Sequence, residues 1–248
     1  MVQARINPRE IEFAEEMDDF GTKSRVSLGV GGFGAVHSAT YRGQQVAVKT
    51  VRFERQADLD CFCQEVNIMV GLAHRNVVAF HGACVLSKGD SGIIVMRQLD
   101  FSLHDAIHKQ RTPTLTPAQR EDAVLQVAHG MLYLHQSRPM IIHGDLKPKN
   151  VMMQDCGAGR YRCCIIDFGL ATIKESTRLA SNITAIKQGA GTLSYKAPEL
   201  FTPHSKRNHK IDVFAFAVSA WETLAYASPF DIGSLTEKDI EQRILSGN

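Results

Sequence analysis

The chain has 248 residues, of which 44% are hydrophobic and 22% are charged, and its formal net charge is +2. Such a length can bury a sizeable core, while the small net charge excludes a strong electrostatic attraction to nucleic acid or membrane surfaces.

Charged residues at Arg9, Glu10 and Glu12 interrupt any N-terminal apolar run, so we expect no signal peptide. The stretch that comes nearest to a membrane span, 211–227, contains acidic residues that argue against one. The six cysteines form no CxxC pair, which argues against zinc and favours a cytoplasmic location.

The N-terminal part of the chain changes character near residue 25. Residues 1–24 are polar and charged, with one short alternation at Ile11-Glu12-Phe13, which predicts a leader with an edge strand. The glycines that follow, in the spacing Gly29-x-Gly31-x-x-Gly34, would let backbone N–H groups approach phosphates. This spacing also fits a dinucleotide-binding turn, but such a turn needs a helix directly after the glycines. Because residues 36–40 continue as strand-like sequence, the pattern favours a β-hairpin with a glycine-rich tip.

Two charged residues follow the hairpin at a suggestive spacing. Lys49 ends the apolar strand 45–49, and Glu65 falls on a helix predicted over 57–72. Taken alone, the lysine is an ordinary solvated strand end and the glutamate is an ordinary exposed helix carboxylate. The preceding glycine loop favours a functional interpretation of both.

The segment His143-Gly144-Asp145-Leu146-Lys147-Pro148-Lys149-Asn150 concentrates reactive groups in eight residues. An aspartate can accept a proton from a hydroxyl, a lysine can stabilise negative charge, and an asparagine can hold a divalent metal. These are the parts needed to move a phosphoryl group, where catalysis is mainly positioning and charge neutralisation. Its glycine and proline predict a loop, in which the polar ends of the side chains can converge on one point.

The remaining elements in chain order predict a largely helical second half. Asp167 follows the apolar strand 162–166, and a buried carboxylate is costly unless it binds a cation or accepts hydrogen bonds, so we expect it to bind a metal together with Asn150. The long segment 170–196 is rich in serine, threonine and glycine, which is typical of a functional loop. Helical patterns cover 102–109, 116–135, 210–227 and 236–245. The pattern at 210–227 is apolar on nearly every face, so we expect this helix to be buried.

Taken together in this order, the glycine loop, Val46–Lys49, Glu65, His143–Asn150, Asp167-Phe168-Gly169, Ala197-Pro198-Glu199 and Asp212 resemble the catalytic domain of eukaryotic protein kinases. The pattern around Gly191-Thr192 and Ala197–Glu199 is most similar to the tyrosine-kinase-like group of serine/threonine kinases, which includes the mixed-lineage and receptor-interacting kinases. The resemblance implies an α+β, bilobal fold with a five-stranded antiparallel N-lobe that carries one helix, and a mainly helical C-lobe. The implied divisions are a leader at 1–24 and a kinase domain at 25–248, with the N-lobe at 25–97, the hinge at 97–101 and an incomplete C-lobe at 102–248.

The resemblance also implies a role for each site residue. Lys49, held by Glu65, would grip the α- and β-phosphates of ATP; Asn150 and Asp167 would hold Mg²⁺. Asp145 would accept the proton of a protein serine or threonine hydroxyl, while Lys147 steadies the γ-phosphate. Asp212 would hold the backbone of the catalytic loop. The residues implied to surround the nucleotide are Leu28, Gly29, Gly31, Gly32, Gly34, Val36, Ala47, Met96 as gatekeeper, the backbone groups of Gln98 and Leu99, and Met152.

Two departures from the family pattern lead to hypotheses. Gly144 replaces an arginine that in the family often pairs with a phosphorylated loop, so we expect phosphorylation at Ser176, Thr177, Ser181 or Thr184 to control this protein weakly. The chain stops at Asn248, before the further helices that family members carry. We therefore expect a fragment, or a chain whose C-lobe is covered by a partner.

Three alternatives remain open at this stage. A pseudokinase scaffold that binds nucleotide without turnover is the main rival, and a small-molecule kinase of the same fold is another. His104 and His108 are four residues apart, so a metal pair is conceivable, but without a third ligand nearby we favour two exposed polar residues on a short helix.

Overall fold

The computed structural model describes residues 5–17, 22–31, 34–86, 89–109, 113–173, 191–202, 207–230 and 235–247. The chain divides into two compact units, the first formed by Met1–Ala73 and Val78–Leu99 and the second by His74–Val77 and Asp100–Asn248. The break after residue 99 falls inside the segment predicted as a hinge. Within the described residues, no helix is both long enough and apolar enough to cross a bilayer.

The first unit is built on an antiparallel sheet. The strands described in this unit are β1 (Ile11–Phe13), β2 (Glu15–Met17), β3 (Lys23–Arg25), β4 (Ser27–Gly31), β5 (Gly34–Tyr41), β6 (Gln44–Arg52), β7 (Phe80–Val85) and β8 (Ser91–Arg97). The strand order in the sheet is β1-β5-β6-β8-β7, with β4 also paired to β5. The resemblance implied five strands, but the described sheet has six, because the edge strand that the sequence predicted in the leader, β1, pairs with the same edge of β5 as β4 does. Strands β2 and β3 form a separate two-stranded ribbon.

The two faces of this sheet have different tasks. Directly paired residues project to the same side, and Val36 pairs with Lys49 while Ala47 pairs with Met96, so these four predicted site residues share one face. The other face is an apolar core to which the leader contributes. The buried members of that core are Ile6, Ile11, Ala39, Tyr41, Val46, Val48, Cys84, Ile93 and Val95.

Among the described residues of the first unit, the α-helix α1 (Gln56–Val70) lies within two residues of its predicted bounds. Asp58 fixes its start, because the carboxylate accepts hydrogen bonds from the backbone N–H groups of Glu54 and Arg55 at 3.1 and 2.9 Å. The apolar residues Phe62, Val66 and Met69 are buried and turn one side of the helix to the core. That orientation places Glu65 in the interior as well.

The second unit contains four helices and five short strands among its described residues. Thr116 caps the longest helix, and Pro117 occupies its first position, as the sequence predicted. The antiparallel strands Val151–Asp155 and Tyr161–Ile165 pair Val151 with Ile165, so the residues just before the first strand and just after the second lie close together. The elements are β9 (Phe101–Ser102), α2 (Leu103–His108), α3 (Pro117–Gln136), β10 (Ile141–Ile142), β11 (Val151–Asp155), β12 (Tyr161–Ile165), β13 (Thr172–Ile173), α4 (Lys210–Ala225) and α5 (Glu237–Ser246).

The helix α4 corrects one prediction. We expected 210–227 to be buried on nearly every side, yet Val213, Trp221 and Leu224 are each about half exposed. The described residues that pack on α4 cover one side of it only. That covered side contains two carboxylates, Asp212 and Glu222, each 1% exposed.

Candidate active site

A buried ion pair joins the two charged residues that the sequence singled out in the first unit. Lys49 leaves β6 on the site face of the sheet, and its Nζ lies 2.8 Å from Oε1 of Glu65 on α1. The exposed fractions are 6% for Lys49 and 4% for Glu65. With so little water around them, the two charges attract each other more strongly than a surface pair would, so the ammonium is held in a defined place.

The glycine-rich hairpin lies next to this pair in sequence and in the sheet. Gly31 pairs with Gly34 at the end of β4 and β5, whereas Gly32 lies outside the described residues. Gly34 has φ +133°, and a Cβ at this position would lie 2.0 Å from the carbonyl oxygen of Thr50. A side chain is therefore excluded at Gly34, while Gly29 has open space around it. Leu28 is 43% exposed and can contact a ligand.

The predicted adenine-binding residues of the first unit line up across β5, β6 and β8. Ala47 and Met96 are directly paired, and both are nearly buried. The side chain of Gln98 is tied to the sheet, because the hydroxyl of Ser38 donates to its Oε1 at 2.8 Å. Leu99 is buried at the end of the unit. Met152, the remaining predicted adenine contact, lies on β11 in the second unit.

In the second unit, the predicted catalytic side chains converge on the carboxylate of Asp145. Lys147 Nζ donates to Asp145 Oδ2 at 2.7 Å, and Asn150 Nδ2 donates to the same oxygen at 3.1 Å. Thr192 approaches from the far end of the long loop, and its backbone N–H donates to Asp145 Oδ1 at 3.0 Å. The hydroxyl of Thr192 also accepts a hydrogen bond from Lys147. One carboxylate, one ammonium, one amide and one hydroxyl thus form a single cluster.

Asp212 holds the backbone that carries Asp145, as the resemblance implied. Its Oδ2 accepts from the backbone N–H of His143 at 2.8 Å, and its Oδ1 accepts from that of Gly144 at 2.8 Å. Nε2 of His135 lies 2.9 Å from Oδ2. A carboxylate that is 1% exposed is therefore surrounded by hydrogen-bond partners, which is the condition under which burial is tolerated.

Asn150 and Asp167, the two predicted metal ligands, are brought together by the backbone. The N–H of Ile166 donates to the carbonyl oxygen of Asn150 at 2.9 Å, so Asp167 follows directly after a residue bonded to Asn150. Asp167 has φ +63°, a left-handed conformation that aspartate tolerates better than most residues. The centroid of the His143 ring lies 5.4 Å from that of the Phe168 ring, so the residue after Asp167 packs against the residue that begins the catalytic segment.

The donor set at this point suits a hard divalent cation. Asn150 uses its amide nitrogen for the backbone oxygen and the carboxylate of Asp145, which turns its oxygen away from Asp145. Carboxylate and amide oxygens are ligands that Mg²⁺ accepts, and Mg²⁺ usually completes its shell with water and phosphate oxygens. Among the described residues, no three histidine, cysteine, aspartate or glutamate side chains form a metal-binding group. A cation here would therefore rely on ligands outside the protein for most of its shell.

Comparison with known proteins agrees with this geometry. The family model for the protein kinase domain matches residues 22–246. The chain belongs to the protein kinase domain family. It is 35% identical over 206 residues to the serine/threonine-protein kinase CTR1 of Arabidopsis thaliana, which covers 82% of the chain and 24% of CTR1.

Two further relatives show the same pattern. The serine/threonine-protein kinase VIK of Arabidopsis thaliana is 31% identical over 226 residues, covering 90% of the chain and 50% of VIK. The human serine/threonine-protein kinase TNNI3K is 34% identical over 206 residues, covering 82% of the chain and 24% of that protein. The chain thus spans between about a quarter and a half of the length of these curated relatives.

Glu222 of the kinase domain is a buried charge to which the sequence analysis gave no role. It accepts a hydrogen bond from the hydroxyl of Tyr195 at 2.5 Å, and its other oxygen lies 2.8 Å from Nε2 of His108. Burial, followed by the neighbouring Glu222, raises the pKa of the Tyr195 phenol well above its usual value. Tyr195 therefore stays a hydrogen-bond donor and ties the segment after Thr192 to α4. A carboxylate in an apolar helix was the available signal, but its partners are 27 and 114 residues away in sequence.

Arg207 is the second residue of the kinase domain that sequence reasoning missed. Its guanidinium donates from Nη2 to the carbonyl oxygen of Gly144 at 3.3 Å. Nothing in the local sequence distinguishes Arg207 from other arginines. The proposed phosphorylation positions Ser176, Thr177, Ser181 and Thr184 lie outside the described residues.

Proposed function

We propose that this chain is the catalytic domain of an ATP-dependent protein serine/threonine kinase of the tyrosine-kinase-like group. The observation that carries the proposal is the convergence of Lys147, Asn150 and Thr192 on the carboxylate of Asp145. Phosphoryl transfer needs little covalent chemistry from the protein and depends on positioning and charge neutralisation. This cluster has the groups for both tasks, and the relatives described as serine/threonine-protein kinases support the class of acceptor.

The proposed roles follow from the chemistry of each side chain. Asp145 accepts the proton of the attacking hydroxyl, because its carboxylate is the acceptor at the centre of the cluster. Lys147 already bonds to Asp145 and Thr192, and it offers its remaining N–H donor to the γ-phosphate. Lys49, fixed by Glu65, binds the α- and β-phosphates. The glycines from Gly29 to Gly34 provide backbone N–H groups over the phosphates.

We propose that Mg²⁺ is held by Asn150 and Asp167, whose oxygen donors fit it. Bound there, the ion would neutralise charge on the phosphate oxygens during transfer. The adenine would lie against Val36, Ala47 and Met96 on the site face of the sheet.

The wider setting is also a proposal. We expect a protein substrate, an intracellular signalling role and a cytoplasmic location, with a kinase domain over 25–248. The exposed apolar residues Val213, Trp221 and Leu224 support our expectation that further helices or a partner cover α4. No observation favours the pseudokinase alternative, because every side chain of the transfer chemistry is present.

A radiolabelled-ATP assay with a generic basic protein tests the proposal. We expect Asp145→Asn to lower transfer by about 10²- to 10⁴-fold, the usual contribution of a general base, while ATP binding persists. Asp155→Asn is the matched control, because Asp155 is exposed and accepts a hydrogen bond from Gly157 N that asparagine can also accept. Wild-type protein that binds ATP but transfers phosphate to no protein would favour the scaffold alternative.

A further inference from the structure

Gly144 occupies a position in the catalytic loop where no side chain fits. Its φ is +80°, and a Cβ built on it would lie 2.9 Å from Nη2 of Arg207 and 2.9 Å from the carbonyl oxygen of Leu170. A flexible arginine could move aside, but the backbone oxygen of Leu170 could not do so cheaply. The family usually has an arginine at this position. Here, the space that the first atoms of such a side chain would take is partly filled by Arg207, which lies 63 residues further along the chain.

The guanidinium of Arg207 lies among groups that it can stabilise. It donates to the carbonyl oxygen of Gly144, and it attracts the carboxylates of Asp145 and Asp212. Burial lowers the pKa of Arg207, and the two carboxylates oppose this shift. Since an arginine remains charged at neutral pH, the loop has a permanent positive charge at this point.

Arg207 and Asp212 together fix both polar groups of the Gly144 backbone. Asp212 Oδ1 accepts from the N–H of Gly144 at 2.8 Å, and Arg207 donates to its C=O at 3.3 Å. A glycine is the residue with the greatest backbone freedom, and rotation about its bonds would move the next residue, Asp145. The two hydrogen bonds restrict rotation about the Gly144 backbone and so keep Asp145 in position.

We propose that Arg207 is a positioning residue that replaces the arginine missing at position 144 and holds Asp145 ready without loop phosphorylation. The inference rests on the proposed kinase function. The guanidinium is hydrogen-bonded to Gly144 and attracted by the carboxylates of Asp145 and Asp212, so it acts as an internal cation rather than as a receptor for a phosphate. The fold thus provides a permanent charge in place of a regulated contact.

The test compares Arg207→Gln, Arg207→Lys and the control Lys210→Gln in dephosphorylated protein. Lys210 is exposed, begins α4 and loses the same charge in its variant. We expect Arg207→Gln to lower kcat, expressed per ATP-binding site, at least tenfold and to change the KM for ATP less than twofold. Lysine should recover part of the loss, because it restores the charge but not the planar fork of donors. Lys210→Gln should match wild type.

Amide hydrogen exchange gives a second readout that does not depend on turnover. We expect exchange over residues 143–146 to become faster in Arg207→Gln and to stay unchanged in Lys210→Gln. If wild type transfers no phosphate, the proposed function fails, yet exchange still decides whether Arg207 holds the loop. Full kcat in Arg207→Gln, equal losses in the Gln and Lys variants, unchanged exchange, or a hundredfold loss on dephosphorylating wild type would overturn the inference.

Discussion

The two units of this kinase domain keep functional charges in place by different means. In the first unit, Lys49 and Glu65 form an ion pair in which both side chains are buried and the charged atoms meet at 2.8 Å. The second unit spreads its hydrogen bonds over many partners. Asp145 is bonded by Lys147, Asn150 and Thr192, and Asp212 is bonded by two backbone N–H groups and faces His135.

This difference determines how each unit should respond to a single substitution. Removing one member of a buried ion pair takes the nearest opposite charge away from the other member, and that cost exceeds the value of the pair itself. In a network, the remaining partners still satisfy the group that lost one bond, so stability changes less and geometry changes more. The first unit should therefore report damage mainly as unfolding, and the second mainly as lost turnover.

The largest effect should come from Lys49→Met. We expect a loss of about 3–5 kcal/mol in the free energy of unfolding, because Glu65 stays buried and loses the cation that lies 2.8 Å from its carboxylate. The double variant Lys49→Met with Glu65→Leu should recover most of this loss, while both variants lack phosphoryl transfer. Urea unfolding followed by circular dichroism measures the difference.

Lys23→Met is the control for this experiment. Lys23 pairs with Glu15 at 3.1 Å, but both side chains are mostly exposed, and pairs of that kind contribute about 0–1 kcal/mol. Equal stability losses in the single and double Lys49 variants would show that the buried charge is not the cause.

The residues whose contacts could be predicted from the sequence are those whose spacing along the chain is typical of the protein kinase family. Lys49 and Glu65 lie sixteen residues apart on a strand and a helix, and the pattern of both elements was readable. Asp145, Lys147 and Asn150 share one loop. By contrast, the leader was predicted as an edge strand alone, yet Ile6 and Ile11 belong to the core of the first unit. A short alternation in a polar segment does not reveal which distant surface it will cover.

Arg207 and Glu222 show why part of the site could not be predicted. Their contacts depend on how the segment after the long loop folds back on the catalytic loop and on α4, which no local periodicity encodes. The exposed side of α4 was missed for a related reason. Composition showed an apolar helix, but burial of each side depends on which neighbours pack against it.

A glycine pair provides the second prediction, which tests whether the loop of the second unit is limited by space or only by backbone conformation. Gly144 and Gly157 have similar φ values of +80° and +77°, but a Cβ at Gly157 has nothing within 4 Å. Gly157→Ala should cost about 1–2 kcal/mol from the left-handed conformation alone. Gly144→Ala should cost a further ~1–3 kcal/mol, because its Cβ collides with Leu170 O and Arg207. Urea unfolding of both variants measures this difference, and equal costs would mean that the crowding is relieved by a small shift.

The smallest effect on stability should accompany a clear effect on turnover. Thr192→Val keeps the shape of the side chain and the backbone N–H bond to Asp145, but it removes the hydroxyl that bonds Lys147 and Asp145. Hydrogen bonds to charged groups contribute about 1.5–3 kcal/mol, so we expect kcat to fall roughly ten- to a hundredfold if that energy is used in the transition state. Thr192→Ser should retain most of the activity, and Thr202→Val, at an exposed position nearby, should have no effect. Steady-state kinetics with thermal melts would separate the two effects: a fall in melting temperature that matches the fall in kcat would show that Thr192 stabilises the fold rather than the position of Asp145.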